Sequence, residues 1–163
     1  MKKEFSVKLE IDESDLEDLL STARSDECGC AWWDYKDSDY EEAEASLKAE
    51  GNSDPCLETV WARMLMLGKK LRLLDPESDW HWKGHREGEL LWKAQIAAEK
   101  SYPVGGEWHL VSLKDIAQAV VKYGKSGYAN ACGPDLHLII ENGDFWDADA
   151  VIQIAMYGDV IYG

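Results

Sequence analysis

Hydrophobic and polar residues alternate with period two near the start of the chain, and the spacing then becomes helical. Residues 5–11, FSVKLEI, predict a strand with one buried face. The following DESDLEDLLSTAR predicts a helix capped by Asp12 or Ser14, because acidic side chains in the first turns complement the helix dipole. The apolar positions on its inner face are Leu16, Leu19, Leu20 and Ala23.

The middle of the chain repeats this change from strand to helix. CAWWDYK predicts a second strand, DSDYEEAEASLKAE a helix with a weak apolar stripe, and CLETVWARMLMLG a strongly apolar helix ended by Gly68. KKLRLLD predicts the next strand. The apolar positions of the two helices are Ala43, Leu47 and Ala49, and then Leu57, Val60, Trp61, Met64, Leu65 and Leu67.

Residues 76–106 have the least regular pattern. PESDWHWKGHRE predicts a loop or short hairpin, and a helix is expected at about 87–100, closed by Pro103 and the glycines that follow it. This stretch is interpreted as a possible insertion outside the main sheet.

The C-terminal part contains clear helix boundaries. EWHLVSL predicts a strand, and the Ser-x-x-Asp pattern at Ser112 predicts a capped helix that stops at Gly124. LHLII predicts a short strand that turns at Asn142 and Gly143. An amphipathic helix capped by Asp144 or Asp147 and ended by Gly158 should come next, followed by DVIYG as a last strand or extended tail. The apolar positions of these two helices are Ile116, Ala119, Val120 and Tyr123, and Ala148, Val151, Ile152, Ala155 and Met156.

Strands and helices are therefore interleaved, but several connections are too short for regular parallel crossovers. We expect a single α+β domain in which a small mixed or antiparallel sheet packs with several helices. The 163 residues can bury a real core, and a hydrophobic content of 45% with eight Trp excludes a disordered acidic chain.

The net charge of -15 is concentrated at the two ends of the sequence. Residues 1–54 carry 17 acidic and 6 basic side chains, and residues 135–163 carry 6 acidic and no basic ones. Such a charge disfavours direct binding to nucleic acid or anionic lipid and favours a basic protein partner. The alternative is that the charge only maintains solubility.

No apolar run approaches the roughly 18 residues of a membrane span, and the N-terminal stretch lacks the apolar part of a signal peptide. A cytoplasmic protein without membrane contact is predicted. The cysteines are expected to be reduced and mostly buried, since they are too few for a secreted disulfide scaffold. They are Cys28, Cys30, Cys56 and Cys132.

Candidate metal and catalytic motifs are incomplete. His81 and His85 have zinc-like spacing, but Gly84 lies between them and Cys28-Gly-Cys30 is not a Cys-x-x-Cys knuckle. The chain contains no nucleophile motif, phosphate loop or dinucleotide fingerprint, and its paired carboxylates lie in solvated charge runs. We therefore predict no metal, no cofactor and no enzymatic activity.

Aromatic and acidic residues interleave at two places. Because neighbouring strand residues point to opposite faces, only one of Trp32 and Trp33 can join the same core face. Exposed aromatics among acids would suit contact with a basic protein, whereas the alternative is burial on both faces. The candidate binding residues are Trp32, Trp33, Asp34, Tyr35, Asp37, Asp39, Tyr40, Trp80 and Trp82.

The helix-Gly-Asp-Val-Ile-Tyr-Gly ending and the early DLEDLLSTARSDECGCAWWDY resemble a group of small uncharacterised proteins of phages and integrative elements of gut Firmicutes. The resemblance covers about two thirds of the chain and departs from the group at about 41–68 and 75–108. It implies a mobile-element setting and a similar fold, and it supplies no catalytic residues. The matching positions are Asp15, Asp18, Gly29, Trp32, Trp33, KKLRLLD, HLVSLKDIAQAVVKYGKSG and residues 148–163.

These observations predict a non-catalytic acidic binding protein, in one version an antagonist of a host nucleic-acid-binding or defence protein that presents a DNA-like acidic surface. Two alternatives stay open. A small-ligand-binding or sequestering protein would need a pocket lined by Trp and His with a few polar groups. A structural accessory protein would have neither a pocket nor a basic partner.

Overall fold

The computed structural model describes residues 9–24, 32–75, 107–127 and 133–161. Within these ranges the chain forms six helices and a three-stranded sheet, which confirms the predicted α+β class. The helices are α1 (Glu13–Ala23), α2 (Asp37–Ala49), α3 (Leu57–Met66), α4 (Leu113–Gly124), α5 (Leu136–Asn142) and α6 (Phe145–Tyr157). The strands are β1 (Trp32–Asp34), β2 (Lys70–Asp75) and β3 (Glu107–Ser112).

The sheet is antiparallel, with β2 between β1 and β3. The β2–β3 pairing runs from Lys70 opposite Ser112 to Asp75 opposite Glu107. Residues 76–106 therefore connect two paired strand ends. The predicted insertion and its helix at about 87–100 lie outside the described residues.

The core lies between the helices and one face of this sheet. Leu71 and Leu73 of β2 and Val111 of β3 are buried because side chains two residues apart share a strand face. Helix α6 packs against α4, α1, α5 and β3, while α3 packs against α1 and α2. The predicted inner faces of α1 and α4 are buried at every position.

Most of the predicted helix boundaries are confirmed by their hydrogen bonds. Asp12 caps α1 by accepting from the backbone of Asp15, and Ser112 forms a capping box with Asp115. At the end of α3, the amide of Gly68 donates to Leu65 (3.0 Å) and that of Lys69 to Met64 (2.9 Å). These two bonds form a Schellman motif, which requires the left-handed backbone seen at Gly68 (φ 77°).

The strand predicted at LHLII is wrong, because Leu136–Asn142 forms helix α5. The side chain of Asp135 caps this helix, and Leu136 and Ile139, three positions apart, are buried together. A short apolar run suits a buried strand and a buried helix equally well, and here the cap decides. The turn at Asn142 and Gly143 therefore joins α5 to α6 and does not form a hairpin.

Helix α6 also differs from its prediction as an amphipathic helix. Four of the five predicted apolar positions are buried and Ala155 is partly buried, but Asp147, Asp149 and Gln153 are buried as well. The amide of Gln153 donates to Asp149 (2.6 Å), and its oxygen accepts from the backbone of Ile161 (2.9 Å). Hydrogen bonds of this kind offset the cost of burying polar groups, so α6 can run through the interior.

The predicted strands at the two ends of the sequence are absent from the part that the structure describes. Leu9 to Ile11 form no strand, and residues 5–8 lie outside the described ranges. After α6, Gly158 adopts a left-handed conformation (φ 78°) and the chain continues without strand pairing to Ile161. Of the two structures predicted for DVIYG, the extended tail fits the described residues and the strand does not.

Candidate functional site

Four aromatic side chains from β1, α2, α3 and the β1–α2 connection form one cluster. Trp33 stacks on Trp61 with ring centroids 5.6 Å apart, and Tyr35 stacks on Tyr40 at 4.8 Å. The two pairs are joined by an edge contact of 5.9 Å between Tyr35 and Trp61. Aromatic pairs at these distances add to the stabilisation that comes from burying their apolar area. The cluster therefore fixes the end of β1 against α2 and α3.

The members of the aromatic cluster differ in exposure. Trp61 is 2% exposed, whereas Trp33, Tyr35 and Tyr40 are half-buried and pack against the edge of the core. The sequence left exposure and burial on both faces as alternatives for the candidate binding residues. The three that belong to this cluster combine an anchored ring with an accessible edge.

The first two turns of α2 carry carboxylates, with Tyr40 among them in sequence. Asp37 and Glu41 are exposed and Asp39 is half-buried. Their position is favourable because the N-terminus of a helix carries a partial positive charge and Lys36, the N-cap, forms no side-chain cap. We call the resulting patch the acidic–aromatic surface. Its members are Trp33, Asp34, Tyr35, Asp37, Asp39, Tyr40 and Glu41.

Both tyrosines of this surface stay uncharged at neutral pH. Burial raises the pKa of Tyr35, and nearby Tyr40, Asp37 and Asp34 raise it further, while Arg24 lowers it. Burial also raises the pKa of Tyr40, with a further contribution from Glu44. Both rings therefore present neutral hydroxyls.

Asp34 is tied to the sheet. It forms an ion pair with Arg72, its register partner on β2, and the same guanidinium donates to the backbone oxygen of Tyr35 (2.8 Å). This arrangement fixes the backbone between β1 and α2. Asp34 therefore positions the surface and is less available to a partner than Asp37 or Glu41.

Many of the other carboxylates are also used inside the fold. Arg63 bridges three helices, because its guanidinium bonds Glu13 on α1 (2.6 Å) and the C-cap residue Glu50 of α2 (2.7 Å). These bonds raise the pKa of Arg63 and lower that of Glu50. Further pairs join Glu42 to Lys69, Glu44 to Lys48, Glu58 to Arg24 and Asp159 to Lys122. Part of the acidic surplus is therefore engaged in ion pairs, and the acidic surface open to a partner is smaller than the sequence suggests.

One cation lies directly on the aromatic cluster. The Cζ atom of Arg24, at the end of α1, is 5.3 Å from the centroid of the Trp61 ring. The guanidinium also pairs with Glu58 on α3, and its side chain is 43% exposed. The sequence pattern places Trp61 in the core and does not reveal this contact, because nothing local relates position 24 to position 61.

Three further predicted binding residues are Trp32, Trp80 and Trp82. Trp32 lies on β1 opposite Leu74 of β2. Trp80 and Trp82 lie outside the described residues, as do His81 and His85. The interleaved aromatics of residues 80–82 therefore stay a prediction.

No group of three possible metal-ligating side chains occurs within residues 9–24, 32–75, 107–127 and 133–161. Cys28, Cys30 and Cys132 fall outside these ranges. Cys56 is a free thiol, as expected, but it is exposed, which corrects the expectation of burial for this cysteine. Its Sγ atom lies 2.9 Å from the hydroxyl oxygen of Thr59.

A histidine–carboxylate pair joins α5 to α1. Nδ1 of His137 lies 3.0 Å from an oxygen of Asp15, and Nε2 lies 3.8 Å from Glu141. The hydrogen bond to Asp15 raises the pKa of His137, and Glu141 and Asp135 add to this effect. The sequence prediction misses the pair because it places His137 on a strand.

A groove of about 310 Å³ lies between α4 and α6. Lys122 crosses it to reach the backbone oxygen of Gly158. The lining is Asp115, Gln118, Ala119, Lys122, Ile154, Ala155 and Gly158. Among the residues that the structure describes, this lining contains neither Trp nor His, so it differs from the pocket expected for a small-ligand-binding protein.

Comparisons with family models, curated proteins and solved structures found no match to the chain. The resemblance to mobile-element proteins therefore stays a prediction. None of the helices in the described residues is sufficiently long and apolar to cross a membrane.

Proposed function

We propose that this protein works by binding a basic protein through the acidic–aromatic surface, without catalysis. The observation that supports this most strongly is the half-buried Tyr35–Tyr40 stack beside the exposed carboxylates of Asp37 and Glu41. Anchored aromatic rings supply much of the energy of protein interfaces, and charges around them steer the encounter.

The organisation of charge supports the same proposal. Glu13, Glu50 and Asp34 have partners inside the fold, whereas Asp37 and Glu41 at the beginning of α2 are exposed. A partner that brings arginines or lysines to this place would gain charge-assisted hydrogen bonds to these carboxylates. We therefore choose this surface for two reasons: it is rich in acidic residues, and two of its carboxylates are exposed while others of the chain form ion pairs within the fold.

The class of partner that we propose is a nucleic-acid-binding or defence protein of a host cell. Such proteins expose basic patches that contact phosphates, and a set of carboxylates can occupy the same patches. With this partner the protein would act in the cytoplasm, in the setting of a phage or mobile element. The acidic–aromatic surface would then compete with nucleic acid for the partner.

Affinity capture from a host-cell lysate, with the purified chain as bait, tests this proposal. We expect a basic protein to be retained at low salt, released at high salt and displaced by added DNA, because screening and phosphate competition act on the same contacts. The captured protein is identified by mass spectrometry. A partner without a basic surface, or retention that salt and DNA leave unchanged, would contradict the proposal.

A further inference from the structure

We infer that Arg24 occupies, from within the chain, the place on Trp61 and Glu58 that an arginine side chain of the basic partner takes in the complex. This inference deepens the proposed function and rests on it. The contact would then act as an internal competitor that sets the affinity of the acidic–aromatic surface.

The position has the two components that a guanidinium needs. The face of an indole ring attracts a cation, and Arg24 lies 5.3 Å from the centroid of Trp61. The carboxylate of Glu58, three residues before Trp61 on α3, pairs with the same guanidinium. A planar guanidinium can stack and pair at once, whereas the compact, strongly hydrated ammonium of lysine does so poorly.

The position adjoins the acidic–aromatic surface. Trp61 contacts both Trp33 and Tyr35, and Arg24 lies close enough to Tyr35 to lower its pKa. Once Arg24 has moved off the ring, an incoming arginine would reach Trp61 beside the half-buried rings and add a contact to those made by Asp37 and Glu41.

Arg24 can leave this position without a change in the backbone. Its side chain is 43% exposed, and its backbone amide, which donates to Leu20 (3.0 Å), provides the cap of α1. Rotation about the bonds of the side chain would uncover the ring. Only molecules in which Arg24 has left the ring can bind the partner's arginine there. The apparent affinity of this contact is therefore proportional to the fraction of such molecules.

The test measures binding of two short peptides, one alternating arginine with serine and one alternating lysine with serine, to Arg24→Gln. Its matched control is Lys125→Gln, which removes the same charge at the end of α4, a helix that packs on β3 and α6. We expect Arg24→Gln to bind the arginine peptide about fivefold more tightly than wild type, as one cation–π contact would predict. The lysine peptide should gain less.

Two further measurements keep the test decisive. Arg24→Lys should show a smaller gain than Arg24→Gln, and it replaces that variant if the glutamine chain fails to fold. The indole N–H resonance of Trp61, assigned from its loss in Trp61→Phe, should shift when the arginine peptide binds to Arg24→Gln. An unmoved resonance would contradict the inference.

The outcomes separate this inference from the proposed function. An equal gain in Lys125→Gln would show a general effect of charge, and an unchanged or weakened affinity in Arg24→Gln would show that Arg24 is not a competitor. Either result overturns the inference while the surface can still bind the peptides. If neither peptide binds any of these proteins at low salt, the proposed function is contradicted as well.

Discussion

At the scale of single residues, His137 links α5 to α1 in a way that depends on pH. Its Nδ1 atom lies 3.0 Å from Asp15, and Asp135, Glu141 and the capping residue Asp12 place further negative charge around it. The pKa of His137 is raised by these neighbours, with the bond to Asp15 first. Folding therefore shifts the protonation equilibrium of His137 towards the charged form.

The sign of the pH dependence follows from this shift. The stabilisation by His137 should be fully present below the ordinary histidine pKa of about 6.5 and be lost as the pH rises through the raised value. Urea unfolding of wild type and His137→Gln at a series of pH values measures it. We expect the two free energies of unfolding to differ in mild acid and to converge in mild base.

Asp15→Asn is the control for this prediction. Without the carboxylate, the NMR titration of His137 should move back towards the ordinary value, because Glu141 and Asp135 act more weakly than Asp15. A difference between wild type and His137→Gln that stays the same across the whole pH range would contradict the role given to this pair.

At the scale of elements, the end of α4 touches the segment that leads into α5. A Cβ atom added to Gly124 would lie 2.3 Å from the backbone oxygen of Gly133 and 2.6 Å from the nitrogen of Pro134. Alanine usually favours a helix over glycine by about 1 kcal/mol. Here the close approach of two backbones should reverse that preference.

We therefore expect Gly124→Ala to lower the free energy of unfolding by about 1–3 kcal/mol, as overpacking does elsewhere. Urea denaturation followed by circular dichroism measures the change. A variant as stable as wild type, or more stable, would show that α4 and residues 133–134 are not in contact.

Local hydrogen bonding explains why most elements could be predicted. The caps at Asp12, Ser112 and Asp144 bond residues two or three positions away, so the sequence alone contains both partners. The wrong prediction at LHLII concerns a short apolar run that fits two structures, and the cap at Asp135 is the local feature that distinguishes them.

The candidate site could be predicted only in part. Tyr35, Asp37 and Tyr40 lie close in sequence, and their interleaving is visible in the sequence alone. Trp61 and Arg24 join them through packing of α3 and α1, which no local pattern records. The sequence therefore predicts the carboxylates and rings of one segment and misses the parts supplied by other helices.

At the scale of the whole molecule, the net charge of -15 has two roles. Part of it forms ion pairs that join helices, such as those of Arg63 with Glu13 and Glu50. Another part, which includes Asp37 and Glu41 at the start of α2, is exposed to solvent, and we propose that this portion contacts a basic partner. A test must separate this portion from the total charge.

Two charge-matched triple variants make that separation. One neutralises the acidic–aromatic surface by Asp37→Asn, Asp39→Asn and Glu41→Gln. The other makes the changes Asp18→Asn, Asp54→Asn and Asp159→Asn. These three carboxylates are exposed on α1, the α2–α3 connection and the tail after α6. Both raise the net charge by the same amount, so a general electrostatic effect would be equal in the two.

The decisive quantity is the dissociation constant of each triple variant for the basic protein captured by wild type, determined at low salt by isothermal titration calorimetry. We expect the first variant to bind about tenfold more weakly than wild type and the second to bind within about twofold of it. Equal weakening in both variants, or no weakening in the first, would show that the acidic–aromatic surface is not the binding site.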